Sequence, residues 1–268
     1  VVAGLPAGLA AIAVRAAAAA QAFVDDPAHP VLSSDDAHHL GRVLRLRAGE
    51  EVVVSDGAGH WARTRWTGGD SGGVGALVAL DDGTGPGGDG SVQFEPAPSP
   101  ELTVAFAPTK GERPEWVVQK LTELGVDRIV PLVSERSVVR WSGARATSAV
   151  ERLRRVARDA SGQCRRVWLP EVSEVVPFSA LGDLGAPGDV VLAQLSGDRV
   201  RASHRVVAVG PEGGWSADEL GAGLPTVGFG LSVLRAETAA VTAAALMVSL
   251  RTGTVAQMAP TTPVGGSS

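Results

Sequence analysis

Val206-Val-Ala-Val-Gly-Pro-Glu-Gly-Gly-Trp-Ser-Ala-Asp-Glu-Leu220 joins an apolar run, a glycine-rich turn and a helix start within fifteen residues. Val206 to Val209 is apolar and mostly β-branched, as in a strand buried on both faces. Gly210-Pro211 cannot continue a sheet, and Gly213 and Gly214 follow at once. Without a Cβ, such a loop brings backbone N–H groups close to a ligand. Ser216-Ala-Asp-Glu219 has the spacing of a capping box, which starts a helix. Strand, glycine loop and capped helix in that order build small-molecule sites at the carboxyl ends of strands in α/β proteins. The same Gly-Pro-x-Gly-Gly segment also serves as a connection that binds nothing.

A second stretch shifts the balance toward a site. Val227-Gly-Phe-Gly-Leu231 is another short apolar run ending in glycine. It leads through Ser232-Val-Leu-Arg235 into the alanine-rich helical segment that begins Ala236-Glu-Thr-Ala-Ala. Two such units within roughly thirty residues could face one ligand from two sides.

Gly210-Pro-Glu-Gly-Gly214 with Ser216-Ala-Asp-Glu219, then Val233-Leu-Arg-x-Glu-Thr-Ala239, resembles the ribosomal RNA small subunit methyltransferase E family, of the SPOUT class. Further blocks stand in family order: Lys110-Gly-Glu-Arg-Pro-Glu-Trp116, Gln119-Lys-Leu-Thr-Glu-Leu-Gly125, Pro131-Leu-Val-Ser-Glu-Arg136 and Gln163-Cys-Arg-Arg166. The likeness covers roughly residues 23–252. It departs at Gly162, where the family often has an acid, and at Ser232, where it often has a base. The resemblance implies S-adenosyl-L-methionine as methyl donor and N3 of a 16S rRNA uridine in the small ribosomal subunit as acceptor. It also implies a C-terminal trefoil knot, which periodicity cannot reveal, a homodimer with sites at the shared interface, and a cytoplasmic enzyme.

At 268 residues the chain suits one large domain or two small ones. The single Cys164 excludes an internal disulfide and a cysteine-cluster metal site, and suits a reducing compartment. No apolar run long enough for a membrane span occurs. A net charge of −5 argues against nucleic acid, yet nine arginines stand against three acids between Glu135 and Arg166. That excess is either a phosphate-contacting surface or the solvated face of an amphipathic helix.

Residues 1–22 read as an extension, poorly ordered or a short helix, lacking the basic start of a signal peptide. Residues 23–83 read as a small β module. Within it, residues 40–47 alternate apolar and basic side chains, 51–55 form a strand, and Asp56-Gly-Ala-Gly59 a hairpin turn. Trp61, Arg63 and Arg65 then fall on one strand face. Basic residues interleaved with an aromatic suit RNA, and a half-exposed edge strand explains them equally. Asp36-Ala-His-His-Leu-Gly-Arg-Val-Leu-Arg45 resembles the family's PUA-like RNA-binding module, a small β-barrel, which adds His39, Arg42 and Arg45 to Arg63, Arg65, Arg136, Arg165 and Arg166 as RNA contacts. His38 and His39 are adjacent and read as local hydrogen-bonding groups, not metal ligands. Gly85-x-Gly87-x-x-Gly90 matches a dinucleotide fingerprint, but Pro86 interrupts it and no helix follows.

Residues 84–99 read as a linker, 100–255 as the catalytic domain and 256–268 as a tail. In the catalytic domain, strands are expected at 102–107, 128–133, 167–169 and 190–193, with helices at 113–124, 147–161 and 236–250. That alternation implies a mostly parallel sheet covered on both faces. The last helix is apolar nearly all round, so it is buried in the core or against a second subunit.

Methyl transfer from a sulfonium to uracil N3 needs positioning and a route for the N3 proton. Glu237, with Arg235 and Arg136, are the catalytic candidates, followed by Glu212. A glutamate in a first helical turn also suits the helix dipole alone. By resemblance the donor is wrapped by Leu192, Gln194 and Leu195, by Gly210, Pro211, Glu212, Gly213 and Gly214, and by Gly230, Leu231, Val233 and Leu234. Competing readings are a catalytically silent RNA-binding or ribosome-assembly factor of the same fold, and a doubly wound nucleotide-binding enzyme. Intact glycines in both loops disfavour the first, and the lack of a credible phosphate loop disfavours the second.

Overall fold

The structure, a computed structural model, describes residues 7–68 and 75–256. Beyond residue 256 the expected tail lies outside the described residues, as does most of the glycine-rich run at 67–73. The chain divides into two compact units, Val1–Pro98 with Arg154–Glu171, and Ser99–Leu153 with Val172–Ser268.

The first unit holds α1 (Ala7–Ala17), β1 (Ala20–Phe23), α2 (Ser34–His38), β2 (Glu51–Ser55), β3 (His60–Trp66), β4 (Leu77–Ala79) and β5 (Gln93–Phe94). Its sheet runs β1-β2-β3-β4, with β5 also on β3; β1 and β2 are parallel and the pairs made by β3 antiparallel. Within the expected extension, the described residues 7–22 hold the short helix α1 and most of β1, and both pack on the sheet. Ala11 and Ala18 pack with Val53 and Trp61, and Ala20 and Ala22 with Val52 and Trp66. Small side chains let the helix lie close to the sheet. Arg15 is buried, lies over the Trp61 ring at 5.1 Å and pairs with Glu95; burial lowers its pKa to about 10.

Three expectations for this unit need correction. Residues 40–47 are not an alternating strand: α2 runs into a wider helical turn over His39–Val43. Ser33 caps α2 by accepting from the Asp36 N–H, and that local start overrides the alternation. Arg63 does not face RNA. It is buried, with Nε and Nη2 on the Glu51 carboxylate at 2.8 and 2.9 Å and Nη1 and Nη2 on Asp82, each at 3.1 Å. Residues 84–99 are not a bare linker, because Thr84 O accepts from Arg63 and β5 pairs with β3.

The second unit holds β6 (Thr103–Phe106), α3 (Arg113–Leu124), β7 (Arg128–Val133), α4 (Gly143–Gln163, which continues into the first unit), β8 (Glu171–Val172), β9 (Val176–Pro177), β10 (Val190–Asp198), β11 (Val206–Val209), α5 (Ala217–Leu220), β12 (Thr226–Val227) and α6 (Ala236–Arg251). No strand forms at 167–169; only an isolated bridge, Ala58 with Trp168, occurs there. The sheet order is β12-β10-β11-β6-β7-β8, with β9 also on β7. The pairs β12–β10, β10–β11, β11–β6, β6–β7 and β7–β9 are parallel. Every residue of β6 and β11 is buried, as a parallel sheet covered on both faces requires.

Helix α3 starts with Pro114 in its first turn and stops at Gly125, whose φ of 100° suits glycine. In α6, Ala236, Ala239, Ala240, Ala243, Ala244 and Met247 are buried, while Val241, Leu246 and Val248 stay half-buried. One segment departs from a plain parallel sheet. Val227 pairs with Ala193 and again with Asp198, so residues 194–197 pass around β12. Gly197 lies so close that a Cβ there would sit 2.4 Å from the Val227 backbone.

Candidate active site

A cavity of about 190 Å³ opens at the carboxyl end of β11, beside the part of β10 just past its pairing with β11. One wall is Ala193, Gln194 and Leu195 at the turn of β10 around β12. The second is the loop after β11, with Val209 to Glu212, Gly214 and Trp215. The third is Phe229, Gly230 and Ser232 to Leu234, and Ala236 and Ala239 of α6 close it. Both glycine loops singled out from sequence thus face one space.

The loop after β11 is held from inside. Trp215 is buried, and its Nε1 donates to Ala193 O at 3.0 Å, tying the loop to β10. Phe178 packs on its ring at 5.5 Å. A Cβ on Gly210 would meet that indole at 3.0 Å, so glycine is there for close approach. The Gly214 N–H closes the turn on Pro211 O at 2.8 Å with φ of +67°, where an L side chain is strained.

The expected capping box is present. Glu219 N donates to Ser216 Oγ at 3.2 Å, and Ser216 N to Glu219 Oε2 at 2.8 Å. Buried Glu219 does more, since Oε1 accepts from the Glu135 N–H at 2.8 Å. The loop after β7 is thereby fastened to the start of α5. In the same loop, Arg136 Nη1 donates to Gly213 O at 3.1 Å.

Three charged side chains meet beside the cavity. Arg113, at the start of α3, lies 3.0 Å from Glu212 Oε1 and 3.8 Å from Glu237 Oε1. Glu212 lines the cavity and is exposed. The Glu237 side chain is only 13% exposed, and its buried Oε2 has no hydrogen-bond partner among the described residues. A buried carboxylate oxygen without a donor is costly unless a ligand or a proton completes it.

Of the expected donor residues, Gln194, Leu195, Gly210, Pro211, Glu212, Gly214, Gly230, Val233 and Leu234 line the cavity. Leu192 does not; it is fully buried in the sheet core with Val190 and Ala208. Gly213 offers its carbonyl to Arg136 instead, and Leu231 is fully exposed at the surface. Arg235 is an exposed N-cap residue of α6 outside the lining. Sequence reading missed Arg113 and Trp215, although Arg113 stands in a block already singled out, just past the carboxyl end of a parallel strand.

Among the expected RNA contacts, Arg42, Arg45 and Arg65 are exposed and make no ion pair among the described residues; His39 is exposed too. Arg165 is committed to backbone, donating to Gly162 O at 2.7 Å and Ala18 O at 2.9 Å, and Arg166 also has partners. Among the described residues no cluster of three His, Cys, Asp or Glu side chains could hold a metal, and no helix is long and apolar enough to cross a membrane.

Comparison with known proteins adds the family. Residues 95–248 match the RNA methyltransferase domain and residues 32–71 the RNA methyltransferase PUA domain. Ribosomal RNA small subunit methyltransferase E of Mycobacterium bovis is 33% identical over 235 residues, covering 82% of this chain and 86% of that protein. A putative methyltransferase from Legionella pneumophila, solved with bound SAM, superposes with a TM-score of 0.70 at 27% identity, over 85% of this chain and 96% of that one. Ribosomal RNA small subunit methyltransferase E from Neisseria gonorrhoeae, bound to S-adenosyl methionine, gives 0.67 at 26% identity, over 86% and 97%.

Proposed function

Because this chain belongs to the ribosomal RNA small subunit methyltransferase E family, we propose that it methylates N3 of a uridine in 16S rRNA. It is an S-adenosylmethionine-dependent rRNA methyltransferase with a PUA domain. The observation that carries the reading is the cavity walled by both glycine loops beside β10 and at the carboxyl end of β11.

The residues present fit the cofactor. A Cβ on Gly214 or Gly230 would meet no atom within 4 Å, so both glycines leave room beside the cavity they line. Gln194, Leu195, Gly210 to Glu212, Gly214, Gly230 and Ser232 to Leu234 would hold it, with Trp215, Ala236 and Ala239 as an apolar floor. Bound there, adenosylmethionine supplies an activated methyl group. The chain's own task is then to hold the uracil and to take the N3 proton. Glu237 is the base in this reading, since its buried Oε2 is without a donor and Arg113 restrains its other oxygen. Arg113, shared with Glu212, keeps positive charge near a developing uracil anion. Arg136, held on Gly213 O, shapes the loop.

The chain is further proposed to act as a homodimer in the cytoplasm, where its rRNA substrate is. Leu195, Leu231 and Val233 expose apolar surface at or beside the cavity, and α6 leaves an apolar face half-buried; a second copy covering them removes that surface from water. The passage of residues 194–197 around β12 supports a trefoil knot. His39, Arg42, Arg45 and Arg65 remain as RNA contacts.

The test is methyl transfer to small subunits from a strain lacking this modification, read by mass mapping. One new N3-methyluridine is expected. Glu237→Gln should lower kcat by roughly 10²–10⁴-fold with cofactor affinity intact. Absence of N3-methyluridine would remove the assignment, and an undiminished kcat would remove Glu237 from the mechanism.

A further inference from the structure

Pro211 and Glu212, on the cofactor cavity, also border a second hollow of about 290 Å³ that contains Lys110 and Arg113. Thr109 and Lys110 pass from it into a third of about 310 Å³. That third hollow is bounded by Trp141 and by Arg145, Ser148, Ala149 and Arg152, one face of α4 at i, i+3, i+4 and i+7. Lys110 follows the carboxyl end of β6, and Trp141 stands two residues before α4.

The charge is one-sided. Three cations and no acid line the third hollow, in a chain with 29 acids against 24 bases. Arg152 is paired with Glu115 at 2.5 Å. Lys110 and Arg145 are exposed and make no hydrogen bond or ion pair among the described residues. An acid three or four residues away would pair with Arg145 along the chain, and none is there. Two uncommitted cations beside a half-buried indole suit an anion with a flat ring, which describes a nucleotide of a single strand.

We propose that this hollow holds the nucleotide adjacent to the uridine being methylated, with its base on Trp141 and its phosphate between Lys110 and Arg145. The inference rests on the rRNA methyltransferase reading and assigns the strand's path from the cofactor cavity. A base brought to a methyl donor leaves its stack, and its neighbour loses that partner as well. Trp141 replaces the lost contact, and the two cations fix the backbone beside it. Lys110 borders both hollows, so the strand runs from Arg113 past Lys110 to Arg145.

The full-length chain and unmodified small-subunit rRNA test this. Trp141→Ala should raise KM for RNA by about ten- to a hundredfold, while Trp141→Phe stays within about threefold, because a stacking platform tolerates another ring. Lys110→Ala and Arg145→Ala should each flatten the dependence of log KM on log salt by about 0.7, the share of one single-strand phosphate contact. Cofactor Kd by calorimetry should not move in any of the four. Wild-type KM in Trp141→Ala, or unchanged salt slopes in both exposed-cation variants, overturns the site. A matching loss of cofactor affinity also overturns it, since the hollow would then serve the cavity's fold. Should the wild-type chain itself leave rRNA unmethylated, the parent reading fails; active wild type with indifferent variants refutes this site alone.

Discussion

Replacing Glu219 by alanine should loosen the candidate active site from behind, at a residue that touches no ligand. Its carboxylate accepts from Ser216 N and from Glu135 N, both at 2.8 Å, and the residue is 6% exposed. A hydrogen bond to a charged group contributes about 1.5–3 kcal/mol, and a buried donor left unpaired forfeits that contribution. Alanine removes both bonds, so the expected loss is ~3–6 kcal/mol. Glutamine keeps one acceptor oxygen and should lose about half. At roughly 2–4 °C per kcal/mol for a chain of this size, the alanine variant should melt on the order of 10 °C lower. Scanning calorimetry reads the first effect. Titration with adenosylmethionine reads the second, because Glu135 anchors the loop whose Arg136 holds Gly213 O. Ser216→Ala is the control, losing only the Ser216 Oγ cap at 3.2 Å, worth about 1 kcal/mol. An alanine variant within about 1 kcal/mol of wild type would refute the claim that this carboxylate joins the two loops.

Other consequences follow from particular contacts. Gly197→Ala drives a Cβ into the Val227 backbone, where no flexible group can yield; urea titration should show a loss above about 2 kcal/mol with reduced cofactor binding, and a neutral result would mean residues 194–197 do not hug β12. Arg63→Ala leaves Glu51 and Asp82 without their buried partner, so stability should fall by about 3 kcal/mol, while the salt slope of RNA binding stays put; the reverse outcome would return Arg63 to the RNA surface. His204 has its pKa lowered by burial and by Arg201, and its Nδ1 accepts from Arg201 N at 3.1 Å. The folded state therefore favours neutral imidazole, and the unfolded state binds more protons between the folded pKa and about 6.5. Stability should rise with pH through that window, and His204→Asn should flatten the rise; an unchanged profile would exclude His204 as its source.

What could be read from the chain alone was what the chain decides locally. The Ser216–Glu219 capping box, the Gly125 helix stop and the strand at Val206–Val209 each depend on residues within one turn or one short run, and each is where the pattern put it. Both glycine loops were legible for the same reason. Period two, however, says which residues share a strand face and not which face is covered, so it suggests Arg63 as an RNA contact where Glu51 and Asp82 in fact enclose it. Alternation over residues 40–47 lost to the Ser33 cap and the helix it starts. Leu192, expected at the cofactor, lies one residue before the lining begins, because pairing with both β11 and β12 holds it in the sheet core, and no local signal reveals that pairing. Arg113 meets Glu212 across 99 positions of sequence, and Glu219 reaches Glu135 across 84. Local signals arise from bonds the chain makes with itself a few residues away, whereas a site is assembled by strand order and register, which become definite only once distant segments pack and water leaves between them.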